Sequence, residues 1–524
     1  MATTEIGPAT KTLERRRPPS LREWLAPAIP GDPMLAWIGP LIVTVFAAFL
    51  RFDRLAIPNA VVFDETYYAK DALALLKFGY EHKTVEDANT LLIQEGAKAA
   101  DSRIWAEGAS FVAHPPAGKW MIAIGEWLFG ATPFGWRFMA ALMGSLSVLI
   151  LCRVARRMTG STLLGCAAGL LLAVDGLHLV TSRTALLDIF LMFWILAGFG
   201  CLVADRDHSR RVLAAKLQSG DDGGFGPFVF HRWRILAGVC LGLACATKWT
   251  GIFYIAAFGI MVLLWDMGAR RAAGVRHAYR GAFLFDAVPA FLSLVGIATI
   301  TYLASWWGWI FNAGGWGRGK VAGNALFRPF EAMPDLWSYH KAVWNFHTSL
   351  QDKHPYQSWP WDWPILSRPV AFFYTEPAQG CGADKCSREI LGIGTPAIWW
   401  AALGALVVLG FLWIHWRDWR AGAIVLGYLT GWLPWFYYAL DKRTMFLFYA
   451  TPMLPFMVLA IVMCLGLLIG PAREPGTRRV VGTAAAGAYM LVVLANFLYM
   501  YPVLTAKFIP WESWHGHMWF DSWI

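Results

Sequence analysis

Long apolar runs separated by short polar stretches dominate the chain, and runs of this length predict helices that cross a membrane. They fall at about 34–50, 134–151, 162–180, 185–203, 235–246, 252–265, 285–310, 398–413, 424–439, 445–468 and 481–501. Counted as crossings they give an all-α polytopic membrane protein of about 11 transmembrane helices, with its ends on opposite sides. Two connections are long and become large outer loops, one at about 51–133 and one at about 311–396. The membrane domain is expected over 34–502, preceded by a flexible cytoplasmic leader (1–33) and followed by an extracytoplasmic tail (503–524). Within the first loop, 72–78 reads as amphipathic. The apolar run 120–129 is short for a span and reads as interfacial.

Composition agrees, with 57% hydrophobic and 15% charged residues, against roughly 45–50% and about 25% in soluble proteins. The formal charge of +10 would suit nucleic acid, but the cations cluster in alternate loops, which is a topology signal and not a binding stripe. Arg15-Arg16-Arg17, Arg153 with Arg156 and Arg157, the 205–234 loop, and Arg270, Arg271, Arg276 and Arg280 all mark one side, which is therefore the cytoplasmic one. No cleaved signal peptide is evident, and no repeat of fixed period is visible. Cys152, Cys166, Cys201, Cys240 and Cys464 lie in or beside apolar runs and read as packing residues. Cys381 and Cys386 lie five apart on the expected oxidising side and suit a small-loop disulfide.

Candidate chemistry gathers at the expected outer face. Asp64 and Glu65 follow the first span, where a carboxylate is near hydrocarbon yet still wet, as a base requires. The plainer reading is that Asp64 caps a helix starting at Thr66 and that Glu65 answers the helix dipole. Neighbours on a helix point about 100° apart, so one carboxylate can face a reaction centre while the other holds the geometry. A sugar carried on a lipid phosphate needs no general acid at its leaving group, only cations, while the acceptor hydroxyl needs a base. Arg137, Arg183 and Lys248 are cations at that face, where topology would prefer none, and suit the phosphate; each can also snorkel to headgroups. His114 before two prolines and Asp188 just inside a span are supporting candidates. His340, His347 and His354 recur every seven residues, but no ligand spacing around them favours metal. The tryptophans of 359–363 suit either a sugar platform or an interfacial belt.

Several stretches together resemble the protein O-mannosyltransferases: Phe63-Asp64-Glu65 with Lys70, His114-Pro115-Pro116-Ala117-Gly118-Lys119 and Phe134-Gly135-Trp136-Arg137-Phe138. Ser182-Arg183-Thr184-Ala185-Leu186-Leu187-Asp188, Ala246-Thr247-Lys248-Trp249-Thr250-Gly251, His354-Pro355-Tyr356, Trp363-Pro364, Trp399-Trp400 and Arg443-Thr444-Met445-Phe446 continue the similarity in order. The resemblance implies a GT-C type glycosyltransferase moving mannose from a polyprenyl-phosphate mannose donor to Ser or Thr hydroxyls of exported, unfolded or translocating proteins. It implies Asp64 as base with Glu65 beside it, and Arg137 as the family's second-span arginine. An insert at about 84–112 separates the acidic pair from His114 more than is usual in the family. The second loop has no room for the β-trefoil domain of eukaryotic members, which resembles the bacterial, actinobacterial-type branch. The expected setting is the cell membrane, multi-pass, among membrane lipids, with the site extracytoplasmic and the protein export channel as a candidate partner. No cofactor is required by these residues, and a divalent cation stays open. The alternative acceptors are a lipid or a polysaccharide. A lipid-sugar transporter is the non-enzyme alternative, disfavoured because transporters place such charges near the midplane in repeated halves.

Overall fold

The computed structural model describes residues 20–25, 27, 30–96, 98–220, 224–319, 327–377, 379–471 and 476–524; most of the expected leader, with Arg15-Arg16-Arg17, lies outside them. Every apolar run is helical. Among the described residues, eight helices are long and apolar enough to cross a membrane: Leu35–Phe52, Pro133–Thr159, Leu187–Gln218, Gly251–Ala272, Ala278–Ser305, Pro396–Trp416, Leu447–Ile469 and Thr477–Leu504. The other three runs form shorter helices, Thr162–Ala173, Arg232–Cys245 and Trp419–Trp432. Two of these are runs that read as single spans but break for local reasons. Asp175 accepts from the backbone N–H of His178 at 2.9 Å and so caps a new helix, Gly176–Thr181, inside the run 162–180. Pro434 starts another, Pro434–Leu440, inside the run 424–439.

Leu187–Gln218 and Leu447–Ile469 form the axis: 78% and 72% of their apolar windows are buried, against 22% for Thr477–Leu504 at the rim. Helix ends follow their capping residues. Thr132 accepts from the Gly135 N–H at 3.1 Å and Pro133 opens the helix, while Gly160 at φ 72° closes it. Gly135 also permits a backbone contact, since a Cβ there would lie 2.0 Å from the Gly130 carbonyl oxygen. The apolar run at 120–129 is part of the helix Ala117–Phe129, which packs closely on Pro133–Thr159.

Among the described residues, two small sheets accompany this mostly helical fold in its long connections. His82–Thr84 pairs antiparallel with Trp105–Ala109. Val370–Thr375 pairs antiparallel with Cys386–Gly392, whose other edge takes Ile509–Pro510. Cys381 and Cys386 are disulfide-bonded beside this sheet, with Cα atoms 5.9 Å apart.

Candidate active site

The two carboxylates of the acidic pair have different surroundings. Glu65 is fully buried and accepts from Arg137 Nε at 2.7 Å and Nη2 at 2.9 Å, and from the backbone N–H of Val62 at 2.9 Å and of Ala185 at 3.1 Å. The Val62 bond ties the turn before the helix Glu65–Phe78 to the first residue of that helix. Asp64 is different. It occupies the cap position with helical φ −67° and ψ −5°, and its side chain makes no capping bond. The expected capping role therefore does not form, and the carboxylate accepts no hydrogen bond among the described residues. Before it, Phe63 sits at φ 48°, a strained conformation for an aromatic residue. Its ring stacks on Phe372 with centroids 4.8 Å apart, so the turn presenting Asp64 is clamped from the second long connection. Burial pushes the Asp64 carboxyl up to about 6, with Lys248 opposing and Asp188 reinforcing the rise.

The cations also divide. A guanidinium has five N–H donors, and Arg137 engages all of them: two on Glu65, the others on the carbonyls of Leu55, Pro58 and Ala60 at 2.8–3.2 Å. Arg183 donates to the carbonyls of Leu50, Arg51 and Asp53 at 2.7–3.0 Å and more weakly to Arg54, and so caps the C-terminal end of Leu35–Phe52. Both arginines bind backbone at the candidate site. Lys248 alone of the three expected cations lines the large cavity, donating to both Asp188 oxygens at 2.9 and 2.8 Å.

That cavity has a volume of about 630 Å³. One wall is apolar, with Leu191, Ile252, Phe253, Ile255 and Val295. The polar part holds His114, Asp188, Lys248, His347 and Arg443, framed by Trp249, Trp344, Trp435, Tyr438 and Tyr449. His114 makes no hydrogen bond among the described residues, and burial followed by Lys248 holds it well below the usual imidazole range. His347 Nε2 lies 3.0 Å from the Ala113 carbonyl, to which it donates, leaving Nδ1 to accept from Arg443 at 3.3 Å. Burial, then Arg443, lowers its pKa to about 4. Arg443 otherwise donates to the His347 and Thr444 carbonyls at 3.1 and 3.3 Å, so two of its five N–H groups remain free.

Lys70 stays outside the cavity, half-buried near Asp71. Lys119 of the His-Pro-Pro segment is instead fully buried, bonded to Glu81 and 4.0 Å from Asp71. His340 Nε2 meets the Tyr302 hydroxyl at 2.6 Å and His354 is exposed, so the seven-residue series does not converge. Trp363 is core, and Trp359 and Trp361 stack on each other away from the cavity, which uses other tryptophans.

The chain matches the family described as dolichyl-phosphate-mannose-protein mannosyltransferase over 41–299, and the C-terminal four-helix membrane region of protein O-mannosyltransferase over 332–523. A polyprenol-phosphate-mannose–protein mannosyltransferase of Mycolicibacterium smegmatis is 39% identical, with 94% of each chain covered. The enzyme of that name from Corynebacterium glutamicum is 34% identical, with 92% of each covered. The chain belongs to the protein O-mannosyltransferase family. It is accordingly a membrane glycosyltransferase. Its fold matches the yeast protein O-mannosyltransferase Pmt1–Pmt2 complex bound to the sugar donor, at TM-score 0.67 and 15% identity over 95% of both chains, a GT-C architecture.

Arg443, His347 and the cavity aromatics escaped the reading of the sequence as site residues. Arg443 carried the same signal as Arg183 and Lys248, a cation in an expected outer turn after an apolar run.

Proposed function

We propose that this chain transfers mannose from polyprenyl-phosphate mannose to Ser or Thr hydroxyls of exported proteins, with inversion and with Asp64 as the base. The observation that carries the reading is a half-buried carboxylate without a hydrogen bond among the described residues, electrostatically coupled to the Asp188–Lys248 pair at the polar end of a cavity whose other wall is apolar. The apolar wall suits an isoprenoid, and the polar end suits its phosphate and sugar.

In this reaction the acceptor oxygen attacks the anomeric carbon of mannose while its proton passes to Asp64. The bond from that carbon to the phosphate oxygen breaks, and polyprenyl phosphate leaves as an anion. Lys248 and Arg443, each with an N–H to spare, stabilise the developing charge. Glu65, Arg137 and Arg183 act one step away by fixing the loop that presents Asp64. This changes the role expected of the two arginines, because Arg443 and Lys248 line the cavity while Arg137 and Arg183 do not. His114, neutral and unengaged, is placed to orient the sugar or the acceptor.

Topology follows the charge pattern: eleven crossings, a cytoplasmic N-terminus, an extracytoplasmic site and C-terminal tail, and residence in the cell membrane. The three helices too short to qualify alone would cross with their flanking turns. Acceptors are unfolded or translocating chains, with the export channel as the candidate route of delivery. The relatives' names favour a protein acceptor over a lipid or polysaccharide.

The deciding experiment is transfer of radiolabelled mannose from synthetic polyprenyl-phosphate mannose to a Ser/Thr-rich peptide, with Asp64→Asn as the control. Label in peptide, lost in the variant, supports both the reaction and the base. Label confined to lipid or glycan would move the acceptor class.

A further inference from the structure

Glycosyl transfer from a phosphate often recruits a divalent cation, and carboxylates near the centre are its natural ligands. The residues here do not fit one. Glu65 is closed off by Arg137 and two backbone N–H groups. Asp188, 2% exposed, has both oxygens on Lys248 Nζ. Only Asp64 is uncommitted, and a single carboxylate is a poor site for Mg²⁺ or Mn²⁺.

We propose that Lys248 is a built-in substitute for that cation: its ammonium occupies the cation position beside Asp188 and Asp64, so that transfer proceeds without metal. The proposal rests on the reading of Asp64 and the cavity given above. Three observations support it. The ammonium is bound in bidentate fashion by a buried carboxylate, which fixes it in place. It is the opposite charge that acts on Asp64. It lies 5.2 Å from the Tyr449 ring centroid and 5.8 Å from that of Phe448, faces that favour a cation. A lysine is a compact point charge with three donors, so one N–H remains for the phosphate or sugar once Asp188 has taken two. A divalent ion approaching Asp188 would meet this ammonium first and be repelled.

The described residues do contain one group whose ligand atoms come within 4.8 Å of one another, His231 with Asp266 and Asp286. It lies beside Asp205, about 25 Å along the helix Leu187–Gln218 from Asp188 at 1.5 Å per residue. Arg234 and Arg270 already pair its carboxylates. It cannot serve the reaction.

The test uses the purified full-length chain with synthetic polyprenyl-phosphate mannose and a Ser/Thr-rich peptide, assayed in EDTA and then with Mg²⁺ or Mn²⁺. The wild-type rate is expected to stay within about twofold in EDTA. Lys248→Ala should lose about a hundredfold in EDTA, the scale for removing one charge-stabilising donor, and regain about tenfold or more with millimolar Mg²⁺ or Mn²⁺ as the ion enters the vacated position. Lys248→Arg, which keeps a fixed charge, should remain insensitive to EDTA. Wild-type transfer that EDTA abolishes and Mg²⁺ restores would overturn the inference while leaving mannosyl transfer intact. A folded Lys248→Ala that is fully active, or that neither ion revives, also overturns it. Should Lys248→Ala fail to fold, the wild-type and Lys248→Arg arms still decide. Absence of label from every peptide would instead sink the functional reading.

Discussion

The helix Leu187–Gln218 carries two buried ionic clusters, one past its middle around Asp205 and one at its start around Asp188, and they are built for opposite purposes. Around Asp205, three carboxylates (Asp205, Asp266, Asp286) face Arg234, Arg270 and His231. Burial lowers the His231 pKa, but its bonds to Asp205 and Asp286 outweigh this and hold it at about 9. With that proton the cluster's formal charges cancel, and the adjacent void is only about 10 Å³. Around Asp188, one ion pair with Lys248 borders a cavity of about 630 Å³, and Asp64 and His114 have no hydrogen-bond partner among the described residues. The first cluster locks helices together by pairing every charge. The second leaves charges uncommitted beside open space, which binding and chemistry require. The arginines repeat the lesson on a smaller scale, since Arg137 has five donors engaged and Arg443 three.

The sharpest way to break this contrast is to remove a charge at each cluster. Asp64→Asn should reduce mannosyl transfer by about 10²–10⁴-fold, the usual contribution of a general base, with the melting temperature unchanged because the carboxylate holds nothing. A variant that keeps full activity refutes the base. Arg443→Ala should lower kcat/KM by about 10²–10³-fold, as for loss of one donor to a developing charge, again with the fold retained; rescue by added guanidinium would confirm that the missing cation is the cause.

Arg270→Ala at the other cluster should do the reverse. Breaking a buried pair leaves three carboxylates facing only Arg234 and His231 and costs about 3–5 kcal/mol, read as lower yield and melting temperature. The folded fraction should keep its KM for the lipid donor. Arg137→Ala belongs with Arg270→Ala in stability, yet should also lose activity, because the loop it holds presents Asp64. A stable, inactive Arg137→Ala with weakened donor binding would return Arg137 to the phosphate.

The sequence made the helices legible because bilayer-length apolar runs are an unambiguous pattern. Asp64 was legible because two adjacent acids after a span are conspicuous. The partners were not. Glu65 and Arg137 are 72 residues apart, and Asp188 and Lys248 are 60. The carbonyls that engage Arg137 belong to an irregular turn whose direction no periodicity encodes. An arginine beside a cavity and one held on backbone look alike in a string of letters; only the fold separates Arg443, which lines the cavity, from Arg137 and Arg183, which do not. The three-stranded sheet escaped notice because its edge strand, Ile509–Pro510, is two residues long and arrives from the far end of the chain.

The mildest perturbation is pH. Burial raises the Asp64 carboxyl to about 6, with Lys248 opposing and Asp188 adding to the rise. A base works only when ionised, so activity should be level above this value and fall about tenfold for each unit below it, where an unperturbed carboxylate would hold its rate to near 4. A limb near 6 would ordinarily be assigned to histidine. The three histidines that line the cavity, however, are held below their usual range, His347 at about 4 and His114 and His340 lower than their ordinary value. Burial thus carries each imidazole away from a limb near 6, toward lower pH. His114→Asn and His347→Asn should therefore leave the acid limb in place while changing the rate. Lys248→Gln removes the charge that favours the ionised carboxylate and should carry the limb upward. If the limb instead vanishes with either histidine and ignores Lys248, the titrating group is an imidazole and Asp64 is not the base.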